Sequence, residues 1–445
     1  PGTITANGSP TASTDSPFDD PAGFVFGESG SESVIKCGSY IGNGSTTGPE
    51  INLGFEPQWV LLKNANKAEH WQMYDSMRGV ATDGDDEFLL PNLNMAANST
   101  SDRIDFTSTG FKLKSNDDGF NGNNDQIIYM VLRRSDGYVG KPPELGTGVF
   151  NMIMGTSNSD VPAYVSGFVT DFAFNRSPTA TEDWWTQSRL TGDKYLRANT
   201  TASQGTSTPN KWDYNNGWYA ATSDQSAYQS WMWKRHAGFD VVAYKGHSNS
   251  QAMDVRHSLN KIPEMAWIKR RTDSGYSWVV YHKGLNGGTN PHQYFMMLNS
   301  ANAEASSTVF PSAPTSTSIS LSGVAGAINL ADKDYLMMLF ASVDGISKVG
   351  SYTGPDPEAT ITIDCGFQPR FVMIKCASHA RDWVVFDTVR GIAAGADKKL
   401  ALNLNTAQIT TEDMIDLTSS GFSLPHGTYL DTNWAGREFI YYALA

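Results

Sequence analysis

The chain has 445 residues, of which 18% are charged and 11% aromatic, with 41 glycines; runs of Glu, Lys, Leu and Ala that would build long helices are nearly missing. That composition fits many short strands joined by tight turns and points to an all-β protein with several cores. A net charge of −13 with no block of Lys or Arg excludes nucleic acid as a partner, and no apolar run reaches the roughly 18 residues of a membrane-spanning helix.

Residues 1–32 are rich in Pro, Gly, Ser and Thr and carry almost no apolar pattern, so in solution they are expected to be disordered, and to be ordered only as an extended arm draped over a neighbouring subunit. A chain opening on Pro1 is expected to be processed, or numbered from a later residue, and no signal peptide is visible.

From there the sequence repeats itself. Gly54–Gly79, GFEPQWVLLKNANKAEHWQMYDSMRG, aligns without a gap on Gly366–Gly391, GFQPRFVMIKCASHARDWVVFDTVRG. In both, Trp follows the Phe by 16 residues, Asp by 20, and Arg-Gly by 23 and 24. Two weaker copies fit the frame: Phe168 precedes Trp184 by 16 residues with Arg176 at the Lys position, and Ile262 precedes Trp278 by 16 with Lys269 and Arg270 there. Each copy has an upstream glycine (Gly42, Gly155, Gly246, Gly354) and a downstream asparagine (Asn94, Asn199, Asn299, Asn405). Then comes a glycine with an apolar partner (Gly110-Phe111, Gly217-Trp218, Gly323-Val324, Gly421-Phe422), and each copy closes on an aromatic–apolar strand.

Within the first copy, the apolar run Gln58–Lys63 predicts a strand buried on both faces, HWQMYDS alternates as a half-buried strand does, and Arg103–Lys114 reads as a hairpin. Five to seven strands in about 95 residues predict a two-sheet sandwich, jelly-roll or concanavalin-like, whereas propeller blades need only about 40–50. The expected organisation is therefore an arm (1–32) and four β-sandwich repeats, 33–137, 138–237, 238–344 and 345–445, strung into a stiff rod.

Trp71, Trp184, Trp278 and Trp383 share one repeat position and are expected in the repeat cores. Trp184-Trp185 alternate along a strand, which makes Trp185 the candidate surface-binding aromatic, a flat face on which a sugar ring stacks. Asp75–Arg78 and Asp387–Arg390 read as ion pairs pinning a turn; their matches in the inner copies are Ser188 and His282, so no catalytic carboxylate pair is assigned. The acidic loops Asp83–Glu87 and Asn116–Asp125 carry calcium-type oxygens but lack EF-hand spacing and flanking helices, and read as solvated loops. Cys37, Cys365 and Cys376 are too few and too odd in number for a disulfide framework, and no zinc spacing accompanies them. No catalytic residue, metal or cofactor is expected.

The frame GFxPxxVxIK…W…D(S/T)xRG…L…N…GF…IYY, with VFGESGSESVIKCGSYIGNG, QSWMWKRHAGFD and HKGLNGGTNP, resembles repeat domains of marine bacteriophage structural proteins, those of cyanophages and pelagiphages among them. The resemblance spans nearly all the chain from Gly23 onward. It implies a non-enzymatic virion protein on the particle surface of a phage of aquatic bacteria: a tail-fibre or capsid-fibre-like appendage touching the host surface. A capsid decoration or cement protein is the alternative, and a fibre-borne glycan depolymerase a more distant one. The expected partners are other virion proteins, further copies of the chain (a trimer among the arrangements) and a host surface glycan.

Overall fold

The structure is a computed structural model that describes residues 35–75, 80, 86–98, 101–107, 109–133, 145–156, 162–207, 210–212, 214–220, 224–247, 252–323, 325–331, 333–392, 395–426 and 429–445. The expected arm, Arg78 and most of the Asp83–Glu87 loop lie outside them. The described chain falls into two compact units: the first holds the residues between 35 and 133 except 80, 86, 101 and 102, and the second holds the rest.

The fold is all-β. Four antiparallel sheets share one strand order, first–last–second–third–fourth along the large sheet: Ile35–Ile41, Gln126–Arg133, Pro57–Asn64, Gln72–Asp75 and Phe88–Leu89 in the first copy. The same order recurs from Phe150–Met154, from Phe239–Lys245 and from Ser347–Thr353, each with a further edge strand. A smaller sheet of two or three strands covers one face of each large sheet, as Met253–Arg256 with Ser318–Leu321 does in the third copy.

The recurring residues explain why the copies fold alike. In all four, the backbone N–H of the repeat tryptophan donates to an asparagine Oδ1: Trp71 to Asn92, Trp184 to Asn199, Trp278 to Asn299 and Trp383 to Asn403, at 2.9–3.1 Å. The matched asparagines are thus Asn92 and Asn403, not Asn94 and Asn405; what the position requires is an amide that reaches back across the turn. Glycine recurs where strands crowd: a Cβ at Gly110, Gly217 or Gly421 would stand 1.9, 2.1 or 1.9 Å from the carbonyl oxygen of Ile51, Tyr164 or Ile363. Register puts Ser318-Ile319, paired with Arg256 and Val255, at that place in the third copy, displacing Gly323-Val324. Gly421→Ala is therefore expected to destabilise the second unit by about 1–3 kcal/mol, as forced overpacking does, measured by urea unfolding.

In the second unit the three sandwiches do not form a rod. Each large sheet turns its uncovered face inward, and one core draws on all three copies, including Phe174 and Trp231, Trp267 and Met338, Met373 and Tyr442. The contacts between copies run in a closed cycle. The indole N–H of Trp184 donates to the carbonyl of Ala401 at 2.9 Å, that of Trp278 to Arg197 at 2.9 Å, and that of Trp383 to Met297 at 3.0 Å. Equivalent backbone bonds of 2.8 Å follow the same cycle: Gln204 to Arg271, Glu304 to Ala377 and Gln408 to Pro178. Head-to-tail contacts of one kind that return to their start make a ring with pseudo-threefold symmetry. The physical reason is area: a sandwich whose large sheet is apolar on both faces fills its own core with one and must cover the other.

The first copy departs from this pattern. Pro57–Asn64 alternates in burial where the matching strands Met265–Arg270 and Phe371–Cys376 are buried throughout. Trp71, expected in the core, is 37% exposed, while Trp184, Trp278 and Trp383 are at most 1% exposed. The indole position is buried only where a neighbouring copy covers it.

Candidate functional site: a pocket in the second repeat

Between the two sheets of the third and fourth copies the core is apolar and closed, with sixteen buried residues in each; the second copy has eight. Register shows what was lost. Ile268 and Ile374 correspond to Asn175, and Tyr281 and Phe386 correspond to Gln187. Tyr244 and Tyr352, which stack at 5.0 Å on Tyr335 and Phe439, correspond to Gly155, which leaves the matching Tyr228 without a ring over it.

The space so opened is a pocket of about 180 Å³. Trp185 and Tyr195 form one wall, edge to face with centroids 4.7 Å apart, and the Arg197 guanidinium lies 4.9 Å over the Trp185 ring while pairing with Asp183 at 3.1 Å. Glu182 accepts from the Tyr228 hydroxyl at 3.2 Å and from the Ser177 N–H at 3.2 Å; partial burial, and then this carboxylate, hold the Tyr228 phenol above its ordinary pKa. Gln187 Nε2 donates to Asn175 Oδ1 at 3.2 Å, which leaves Gln187 Oε1 buried without a partner, and Asn210 Nδ2 is likewise buried and unpartnered. Gln187 is 4% exposed and Asn210 7%. Both side chains belong to residues that line the cavity beside the aromatic wall, and their unpaired acceptor and donor are groups that a ligand hydroxyl satisfies once it reaches them.

Of the residues singled out in the sequence, Trp185 is in this pocket, half-buried rather than freely exposed. Gln187, Asn210, Asn175, Glu182, Tyr195 and Tyr228 carry no motif in the sequence; their one signal is two amides standing where the sister copies have Ile and Tyr or Phe. Trp184, Trp278 and Trp383 serve the ring. Asp387 is an ion pair with Arg390 at 2.5 Å, both buried, and it also accepts from Gln229 and Trp231 at 3.1 Å each, so it joins the second and fourth copies. In the Asn116–Asp125 loop, which includes a one-turn helix Asp118–Asn121, Asp117 pairs with Arg103 at 2.9 Å, and Asp118 and Asp125 with Lys67 at 3.0 and 2.9 Å. Among the described residues no group of three or more His, Cys, Asp or Glu is placed to hold a metal, and the three cysteines are free thiols.

Fold and site together define an all-β tandem-repeat protein in which one sandwich of a closed ring has been opened into a polar, aromatic-walled pocket. The chain belongs to the family DUF7483, described as a domain of unknown function, whose model matches residues 12–135 and 150–445. No curated protein and no solved structure matches it.

Proposed function

We propose that the protein is a non-enzymatic structural component of a phage particle, a fibre-like appendage at the particle surface that holds a sugar of the host surface in the second-repeat pocket. The observation that carries the contact role is the pairing of the Trp185–Tyr195 wall with the unpartnered ends of Gln187 and Asn210, since a pyranose offers an apolar face to the one and hydroxyls to the other. The pocket is smaller than the roughly 300–1,000 Å³ of drug-sized sites and suits one sugar ring rather than a stretch of chain. Among the described residues Glu182 is the one carboxylate of its lining, where glycoside cleavage uses two, and the reading offered is binding rather than hydrolysis. The placement on a phage particle rests on the repeat frame's resemblance to marine phage structural proteins.

The test is a glycan array probed with the labelled full-length chain, followed by titration of the best ligand. Trp185→Ala is expected to weaken binding at least about tenfold, close to 1.4 kcal/mol, and Gln187→Leu to do the same by removing the acceptor. Binding that neither substitution alters, or no binding to any glycan, sinks the sugar reading. Antibody against the chain is expected to decorate intact particles in electron micrographs, and bare particles would sink the placement.

A further inference from the structure

We infer that the first repeat completes itself with two further copies of the same chain, so that three chains form around their first units the ring that repeats two to four form within one. The inference stands apart from the sugar reading, because it uses a different unit and a different face.

The face in question is the side of the large sheet opposite the first unit's own core. It carries Ile35, Cys37, Trp59, Leu61, Met130 and Trp71, and register aligns them along neighbouring strands: Cys37 and Leu61 both pair with Met130, and Ile35 and Trp59 with Leu132. Ile35 is 53% exposed and Met130 and Trp71 are each 37% exposed; Cys37 is exposed as well. Ser39, Lys63 and Asp75 share this face by register, and the apolar positions beside them form a patch of a kind uncommon on a protein that works alone.

The chain itself shows what such a face packs against. Cys37, Leu61 and Met130 match Met152, Phe174 and Trp231 in the second repeat, Val241, Trp267 and Met338 in the third, and Val349, Met373 and Tyr442 in the fourth. All nine of those partners lie in the one shared core. The edge that makes the ring is present too. Trp184, Trp278 and Trp383 donate to the carbonyl two residues before the neighbour's turn asparagine; in the first repeat that asparagine is Asn92, so the acceptor is the Leu90 carbonyl. Leu93 and Met95, 39% and 54% exposed, sit on the same turn and add apolar area where the inner copies place Thr200 and Ala202 or Ser300 and Asn302. The occupant that fits is therefore another first repeat, with the Trp71 indole of one chain donating to Leu90 of the next. Three chains close the cycle, and two cannot.

The experiment is the mass of the full-length chain by light scattering at tens of micromolar, together with the rate at which a thiol reagent modifies Cys37, the other two cysteines being buried. The wild type is expected at three times the chain mass, with Cys37 modified at least tenfold more slowly than in Met130→Glu, which is expected to run as a monomer. Position 130 lies on the uncovered face, and Ile35→Glu on the edge strand is a second variant should the first fail to fold. A monomeric or dimeric wild type overturns the inference. So does a trimer that both substitutions leave intact, or one in which Cys37 reacts as fast as in the variants.

Discussion

Trp383→Ala is expected to destabilise the second unit by about 3–5 kcal/mol, the cost of emptying a tryptophan site in a packed core, whereas Trp71→Ala is expected to change the first unit's own stability by less than about 1 kcal/mol, as exposed positions do. The two residues occupy one repeat position and make the same backbone bond to an asparagine side chain. They differ in what lies beyond the sheet. The Trp383 indole is 1% exposed, packs in the core common to three copies and donates to Met297 of the third copy. Its loss removes apolar burial, leaves a cavity and takes one of two donors from the half-buried Met297 carbonyl, which keeps the Ser300 N–H at 3.3 Å. Urea unfolding of the two variants at a dilution where the wild type is monomeric measures both. Equal costs would mean that the ring contributes nothing beyond the individual sandwich.

That contrast also marks how much was legible in the sequence. The spacing of Phe, Trp, Asp and Gly announced four related units, and all-β was written in the composition, because each is a local requirement: an amide to catch the tryptophan N–H, a glycine where a Cβ would strike a carbonyl. The ring was not legible as a ring, although its cause was visible. Gln58–Lys63 read as a strand apolar on both faces, and that is a statement of unmet burial rather than of which neighbour meets it. In three copies the neighbour lies in the same chain. The rod expectation failed because it assigned each sandwich one apolar face when the large sheets have two. The pocket was half legible. Trp185 stood out by type, while Asn175 and Gln187 look ordinary until register sets them beside Ile268 and Tyr281. Gly155 reads as the frame glycine, yet in register it stands where Tyr244 and Tyr352 cover Tyr335 and Phe439 in the sister copies.

Acid is expected to weaken the second unit through His282. This residue holds the place of Asp387 in the fourth copy and Ser188 in the second, and it is fully buried against the fourth copy. Its Nδ1 accepts the Gly284 N–H at 2.9 Å, which requires a neutral ring, and its Nε2 lies 3.5 Å from the Tyr441 carbonyl. Burial drives the imidazole pKa down to about 3, with Lys283 adding to the effect and the Tyr441 carbonyl opposing it. An unfolded chain protonates the same ring near pH 6.5, so below that value it binds a proton that the folded chain refuses. The stabilisation is complete above pH 6.5 and is lost as pH falls toward 3, at a limiting slope of about 1.4 kcal/mol per pH unit. Carboxylates titrate over part of the same range, so the comparison is with His282→Gln, which keeps a donor and an acceptor but has no proton to gain. Between pH 7 and pH 4.5 the wild type is expected to lose about 2–3 kcal/mol more than the variant, read as the difference of two urea-unfolding series. Parallel pH profiles would show that the ring is protonated, or exposed to water, while the unit is still folded.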